Sequence, residues 1–209
     1  MKSDSRRNTI KKIKYMDDLK ERLYSSDQDI SGLALAELIR RGKTATPILL
    51  EALTAQDPRT RRLAAEGLGE IADHAAADSL FQATKDVNPE VRARAATALH
   101  KLGDPRSLKA LVSTMNDYPD ILHSPYTASM YPLMQGGKEV LSLVIPFLRE
   151  PVTLTRQRAF LIVKAVASRI QQGQKWDQLW RALGSYDPDG PPAARDQATQ
   201  KWQEWLANL

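Results

Sequence analysis

The sequence has no cysteine among its 209 residues. This excludes a disulfide framework, a thiol nucleophile and a cysteine-based zinc site, and it fits a reducing compartment. The N-terminus is charged from Lys2 onward and lacks the apolar core of a secretory signal. We therefore expect a cytoplasmic location.

Long hydrophobic runs and aromatic residues are also scarce. The longest stretch without Asp, Glu, Lys or Arg covers residues 121–137, and it contains Pro125, Pro132 and a Gly pair, unlike a membrane-spanning helix. Phe, Trp and Tyr together supply 6% of the chain, whereas Leu and Ala occur 26 times each. This balance favours helices over strands. The composition predicts an all-α protein without a membrane span.

Excess positive charge is missing from most of the chain. The net charge is +5, but residues 1–15 hold six basic side chains against Asp4, so the remainder is neutral. The basic character therefore belongs to an N-terminal arm rather than to a groove that follows phosphates. Nucleic acid is therefore an unfavoured partner. The least favoured functional hypothesis is nucleic-acid binding through this arm together with Arg40, Arg41 and Lys43.

The chain repeats itself with a period of about 31 residues. Residues 57–87 align without a gap with residues 88–118 at an offset of 31. Identical residues share this register at the following pairs: Pro58 and Pro89, Arg61 and Arg92, Leu68 and Leu99, Asp86 and Asp117. The pattern recurs upstream over residues 34–50 and downstream at Arg156, Ala159 and Val163. A fixed period of this size indicates stacked supersecondary units.

Each unit reads as two helices separated by breakers. The expected helices span residues 5–24, 29–41, 45–54, 58–72, 75–84, 89–102, 105–115, 124–134, 138–149, 154–172, 175–183 and 192–207. These helices make six antiparallel pairs, which must stack into a right-handed α-solenoid because a single pair cannot bury its own apolar stripe. We expect a basic arm and capping helix over 1–24, repeats over 25–184 and a Trp-rich cap over 185–209.

Two segments of the repeat resemble a known family. The units DPRTRRLAAEGLGEI and NPEVRARAATALHKLGDPRSLKAL resemble the short HEAT repeats of phycobilisome-lyase-like proteins, in which an Asp/Asn-Pro turn leads into an Arg-x-x-Ala helix. The resemblance is strongest over 57–118 and weakest over 119–137 and after residue 184. It implies an α-solenoid with a protein-binding role. Some family members are bilin lyases or chromophore-detaching factors that act on phycobiliproteins.

The equivalent arginines Arg61, Arg92 and Arg156 suggest either an anion site or inter-repeat bridges, and the bridging interpretation is favoured. We expect them to bind Asp57, Asp86 or a carbonyl. The outward face of the second helices carries both signs of charge, which suits a protein partner or solvent. That face is predicted to hold Arg59, Leu63, Glu66, Glu70, Glu90, Arg94, Thr97 and Lys101, with possible pairs between Glu70 and Lys101 and between Arg59 and Glu90.

The irregular repeat over 119–137 is the candidate functional segment, because a degenerate unit carrying exposed aromatics makes a good interface. The alternative interpretation is structural: Tyr126 and Tyr131 fill the gap that a poorly matched repeat leaves in the core. The predicted partner-binding residues are Arg94, Lys101, His123, Tyr126, Tyr131, Leu154, Arg158 and Leu161. All four Trp, at positions 176, 180, 202 and 205, are expected to pack in the C-terminal cap, with chromophore or base stacking as the alternative.

Catalytic motifs are missing from the sequence. No His is followed by Glu, as in the HEAT-type deoxyhypusine hydroxylases, and there is no ligand spacing for zinc or iron and no glycine-rich phosphate loop. We predict no catalytic residue, no metal site and no cofactor. The leading hypothesis is a non-catalytic scaffold or adaptor that binds another protein through the concave face. The alternative is a bilin lyase or chromophore-detaching factor, with bilin as its ligand.

Overall fold

The computed structural model describes residues 15–119, 122–171 and 175–209. Helix α1 covers residues 15–23 of the described chain. The later α-helices are α2 Gln28–Arg41, α3 Thr46–Ala52, α4 Pro58–Ile71, α5 Ala77–Ala83, α6 Pro89–Lys101, α7 Ser107–Ser113, α8 Met130–Met134, α9 Lys138–Val144, α10 Thr153–Ile170, α11 Trp176–Ala182 and α12 Pro192–Ala207. Within the described ranges, short 3₁₀ segments cover Gly42–Ala45, His74–Ala76 and Ile145–Arg149. Most of the predicted basic arm, residues 1–14, lies outside the described residues.

The Asp/Asn-Pro turns start the long helices of the repeats. Asp57 caps α4 by accepting hydrogen bonds from the backbone N–H groups of its first turn, and Asn88 caps α6 in the same way. Pro58 and Pro89 follow at the first helical position, where a missing N–H costs nothing. The repeated sequence motif therefore encodes a repeated helix start.

The helices stack as pairs, as the fold prediction requires. In the first half of the chain α3 packs on α4 and α5 packs on α6, while α2, α4 and α6 pack side by side. The approach of α4 to α6 is close at Gly69, where a Cβ atom would lie 2.8 Å from the Ala98 Cβ. The prediction of an all-α protein built from stacked helix pairs is confirmed.

The chain divides into two compact units between Pro105 and Arg106. The first unit contains α1 to α6, with a core of Leu and Ala that includes Leu38, Leu68 and Leu99. The second unit contains α7 to α12, and its core includes Leu141, Ile162 and Trp202. The predicted boundaries after residues 24 and 184 stay predictions.

Three local predictions differ from the structure. The expected helix over 124–134 is helical only at Met130–Met134, because the preceding residues form turns held by side-chain hydrogen bonds. The expected helix over 138–149 changes to 3₁₀ geometry at Ile145, next to Pro146. Leu63 is 8% exposed rather than outward-facing, because α4 packs against α2, α3 and α6 and so buries a wider stripe.

Candidate functional site

The equivalent arginines are structural bridges, as predicted. Arg61 donates from Nη1 to the carbonyl oxygens of residues 55 and 56, at 2.9 and 2.8 Å. Arg92 binds the carbonyls of residues 86 and 87, and Arg156 binds those of residues 150 and 151. In each case the acceptors lie five and six residues upstream. The arginines therefore fix the turn that precedes each long helix, which agrees with the bridging interpretation.

Arg94 and Lys101 lie in the first unit among carboxylates. The Arg94 Nε atom lies 3.9 Å from the Glu66 carboxylate. Lys101 Nζ is paired with the Glu70 carboxylate, as the sequence suggested. These four side chains line one small depression between α4 and α6. Its charges alternate in sign and are largely compensated within the protein.

The predicted pair between Arg59 and Glu90 does not form. Arg59 instead donates to the Ser26 carbonyl at 2.6 Å and to Ser31 Oγ at 2.7 Å, at the start of α2. Glu90 lies 3.6 Å from Arg62. Arg59 sits in the first turn of α4, where its side chain reaches back to the preceding repeat. The sequence analysis paired Arg59 with an acid of the following repeat, and that prediction was wrong.

Buried hydroxyl groups hold the irregular segment in place. Thr127 Oγ1 donates to the Met115 carbonyl at 2.9 Å, and the hydroxyls of Thr114 and Ser129 lie 2.8 Å apart in a hydrogen bond. Thr114, Thr127 and Ser129 are all 1% exposed or less. Because buried polar groups are costly without partners, these bonds favour one non-helical conformation for the residues before Met130.

Arg158, on α10, holds the same segment through hydrogen bonds. Its Nε donates to the Pro125 carbonyl at 2.7 Å, and its Nη1 donates to Asn116 Oδ1 at 2.9 Å. Asn116 in turn donates from Nδ2 to Thr155 Oγ1 at 3.1 Å. Arg158 is 5% exposed, and burial lowers the pKa of its guanidinium from the usual value. The structure therefore places Arg158 beneath the segment rather than on the surface.

The tyrosines of the segment lie near the hydrogen bonds of Arg158. Tyr126 follows Pro125, the residue whose carbonyl Arg158 holds. The rings of Tyr126 and Tyr131 stack with centroids 6.0 Å apart and planes 15° from parallel. Tyr131 is 45% exposed, and His123 is exposed beside them. The stacked pair thus presents one exposed ring on a supported base.

Leu154 and Leu161 lie on α10 on either side of Arg158. Their spacing of four residues before and three residues after Arg158 puts all three on neighbouring positions of one helix face. Leu154 is 40% exposed and Leu161 is half-buried. We call His123, Tyr126, Tyr131, Leu154 and Leu161 the anchor surface. Arg94 and Lys101, which belong to the first unit, are not part of it.

The tryptophans form an aromatic cluster in the second unit. The ring centroid of Trp202 lies 6.0 Å from that of Trp176 and 5.4 Å from that of Trp205. Phe160 on α10 joins the cluster through Trp176 at 6.0 Å and Tyr186 at 5.1 Å. Trp202 is fully buried. The expectation that these residues pack as a cap is met at Trp202.

The loop before α12 is tied down by its polar atoms. The Tyr186 hydroxyl donates to the Leu148 carbonyl at 2.6 Å, and burial raises the pKa of Tyr186 to about 12. Trp180 Nε1 donates to the Tyr186 carbonyl at 3.0 Å. Arg156 Nε donates to the Pro188 carbonyl at 2.7 Å. The loop before α12 is therefore an integral part of the second unit.

One surface feature was missed by the sequence analysis. A groove of about 280 Å³ lies in the first unit between α3 and α5, lined by Leu50, Leu53, Gln82 and Ala83 among others. No repeat position or motif marks these residues as a group, so periodicity alone gave no signal for it. Within the described residues, no cluster of three or more His, Asp or Glu could hold a metal ion, and no helix could cross a lipid bilayer.

Comparison with known proteins decides the family. The sequence model of HEAT repeats matches residues 16–86 and 46–124, which together span just over half of the chain. The chain belongs to the HEAT-repeat family. No curated protein shows significant sequence similarity to it.

One solved structure has a similar fold, and further matches are weaker. A chain from the complex of CpcE and CpcF of phycocyanin lyase from Nostoc sp. PCC7120 matches with a TM-score of 0.51 and 23% identity, covering 81% of this chain and 70% of that chain. An engineered protein matches with a TM-score of 0.43 and 18% identity over 92% and 96% of the two chains. A computationally designed armadillo repeat protein for modular peptide recognition matches at 0.40 and 17% over 90% and 98%.

Proposed function

We propose that this HEAT-repeat protein is a non-catalytic adaptor that binds a protein partner on the anchor surface of its second unit. The observation that carries this proposal is the exposure of Tyr131 at 45%, on the segment that Arg158 holds, together with Leu154 at 40% on α10, which packs on α8. Exposed aromatic and aliphatic side chains of this kind act as interface anchors when they fill pockets of a partner.

The rigid support of the anchor surface favours binding. Arg158 and the buried hydroxyls of Thr114 and Thr127 hold the segment before any partner arrives. A partner then does not have to order the segment, which removes part of the entropic cost of association. HEAT and armadillo-like repeats are scaffolds suited to protein binding, and the repeat architecture supports the proposal at that level.

Affinity capture with two matched double variants tests the proposal. Tyr131→Ser with Leu154→Ser removes the two exposed anchors. The control is Tyr24→Ser with Leu33→Ser, which makes the same changes at side chains 41% and 64% exposed in the first unit. A protein retained from lysate of the source organism by wild type and control, but lost with the anchor variant, is the expected result in quantitative mass spectrometry.

Retention of the same protein by the anchor variant would show that the surface is wrongly assigned. Visible absorption of the eluate tests the second hypothesis, that the partner is a phycobiliprotein or bilin. That hypothesis comes from the family resemblance of the repeats, and a colourless eluate argues against it. Salt-labile nucleic acid as the sole retained material would instead direct attention to the basic arm, residues 1–15.

A further inference from the structure

Basic residues border a partly exposed apolar line of α10 on both sides. At ~100° per residue, Leu154, Leu161 and Ala165 fall in one line along the helix. Arg158 and Arg169 then lie along one edge of the line, and Lys164 lies along the other. Helix α10 contains no Asp or Glu, and the sequence has none from residue 151 to residue 176.

These cations contact neutral groups. Arg158 binds the oxygens of Pro125 and Asn116 described above. Arg169 Nη2 donates to the carbonyls of Met134 and Gly136, at 2.9 and 2.6 Å, where α8 ends. The Lys164 Nζ atom lies 5.5 Å from the centroid of the Trp176 ring. Across the described parts of the chain, none of the three is paired with a carboxylate.

The first unit shows the opposite arrangement. Arg61 pairs with Asp86, Arg62 lies 3.5 Å from Glu66, and Lys101 pairs with Glu70. These three cations are therefore neutralised within the protein. Helix α10 differs from them in carrying several cations without a paired carboxylate among the described residues.

In the described parts of the chain, no carboxylate on α8, α9 or the segment Ile145–Arg149, which pack on α10, is paired with these cations. Glu139, at the start of α9, accepts a hydrogen bond from the Gly137 N–H at 3.1 Å. Burial alone lowers the pKa of Arg158, without a favourable contribution from any acid. An incoming carboxylate would find the exposed cations Lys164 and Arg169 on either side of an apolar line. Opposite charges across an interface favour association and fix its orientation.

We propose that the occupant of the anchor surface is an acidic protein segment. Its apolar side chains pack on Leu154, Leu161 and Tyr131, and its carboxylates reach Lys164 and Arg169. This inference rests on the proposed function and adds the chemistry of the partner. The aliphatic line between the cations favours protein over nucleic acid, which would need a longer row of positive charge along a backbone track.

Selection from a displayed library of random peptides of about twelve residues tests the inference on the full chain. Selected peptides are synthesised with a fluorescent label and titrated by anisotropy. The charge variant is Lys164→Gln with Arg169→Gln. The control, Lys109→Gln with Arg181→Gln, makes the same change in net charge at exposed positions of the same unit. Circular dichroism checks that each variant keeps the helical content of wild type.

We expect the selected peptides to combine apolar residues with an excess of Asp and Glu, and to require Tyr131 and Leu154. Their affinity should fall about fivefold in the charge variant, remain unchanged in the control, and weaken as NaCl rises from ~0.05 to ~0.5 M.

Peptides that require Tyr131 and Leu154 but carry no excess of acid, or that ignore the charge variant, overturn this inference and leave the proposed function standing. If no selected peptide depends on Tyr131 and Leu154, both the proposed function and this inference fail. Binding of a labelled oligothymidylate that the charge variant abolishes also overturns the inference, in favour of nucleic acid.

Discussion

Arg61 and Asp86 form a bidentate ion pair between consecutive repeats. Arg61 Nε and Nη2 donate to the two carboxylate oxygens at 2.7 and 2.8 Å, and both side chains are 13% exposed. Burial raises the pKa of Asp86, but hydrogen bonds from Arg61 and from the Asn88 N–H outweigh it, so the pKa lies below its usual value. The carboxylate is therefore held in its charged form at the junction.

Arg61→Met should destabilise the first unit strongly. The substitution leaves the Asp86 charge without its partner and also removes two carbonyl contacts, and breaking a pair of this kind costs about 3 kcal/mol. Arg62→Met is the control, because Arg62 is 22% exposed and its carboxylate neighbours lie 3.5 and 3.6 Å away. We expect it to cost less than about 1 kcal/mol. Urea unfolding followed by circular dichroism measures both, and equal losses would contradict the structural role of Arg61.

The sequence predicted this part of the fold because its physical cause is local and repeated. Asp57 and Asn88 cap helices, and Arg61, Arg92 and Arg156 reach carbonyls five and six residues away. Interactions over such short separations recur wherever the motif recurs. A self-alignment at an offset of 31 residues therefore detects them without any knowledge of the tertiary structure.

Gly69→Ala and Gly32→Ala should change stability in opposite directions. A Cβ atom at Gly69 would lie 2.9 Å from the Ala98 Cα, a backbone atom that α6 cannot move alone. We expect Gly69→Ala to destabilise the protein by about 1–3 kcal/mol, as overpacking does. At Gly32, within α2, a Cβ atom meets nothing within 4 Å. Gly32→Ala should stabilise by up to ~1 kcal/mol through helix propensity. A higher urea midpoint for Gly69→Ala, as expected for Gly32→Ala, would show that α4 and α6 have room to separate.

Ala72 lies in the left-handed region, at φ 52° and ψ 41°, at a position where the neighbouring repeats have a glycine with positive φ. Its φ is 52°, whereas Gly42 and Gly103, at the corresponding ends of the neighbouring repeats, have φ of 60° and 70°. The left-handed region costs an L-residue about 1–2 kcal/mol, and Ala72 is exposed, so its methyl group contributes little burial. Allowing for the greater freedom of glycine in the unfolded chain, Ala72→Gly should stabilise by ~0.5 kcal/mol.

The matched exchange is Gly103→Ala, where a Cβ atom meets nothing within 4 Å. Strain is then the main consequence, and we expect a loss of about 1 kcal/mol. Thermal and urea unfolding of both variants measure the effects. Destabilisation by Ala72→Gly would mean that the left-handed conformation of Ala72 carries little strain in the folded protein.

The anchor surface was only partly predictable. The sequence singles out Tyr126 and Tyr131 by a break in the period, and Leu154 and Leu161 by the apolar helix face that follows it; their role as a binding site stays a prediction. The burial of Arg158 could not be predicted. It depends on Asn116, 42 residues away in sequence, and on a turn at Pro125 that no repeat position specifies. A long-range contact made once in the chain leaves no periodic signal.

Glu37 should contribute to stability in a defined range of pH. Hydrogen bonds from Arg40 and Arg41 lower the pKa of Glu37 to about 2, from an ordinary value of 4.5. The folded state therefore binds this proton less readily than the unfolded state. The contribution is complete above about pH 4.5 and is lost as the pH falls towards 2.

Glu37→Gln should accordingly lose less stability than wild type between about pH 6 and pH 3. Glu21→Gln, which removes an exposed carboxylate from α1, is the control and should follow wild type. Urea midpoints at the two pH values, measured at low ionic strength, give the comparison. Because the neutral amide cannot form the ion pairs at any pH, its midpoint should lie below that of wild type at pH 6 and approach it at pH 3. An equal decline in wild type and Glu37→Gln would mean that the two arginines do not hold Glu37 in solution.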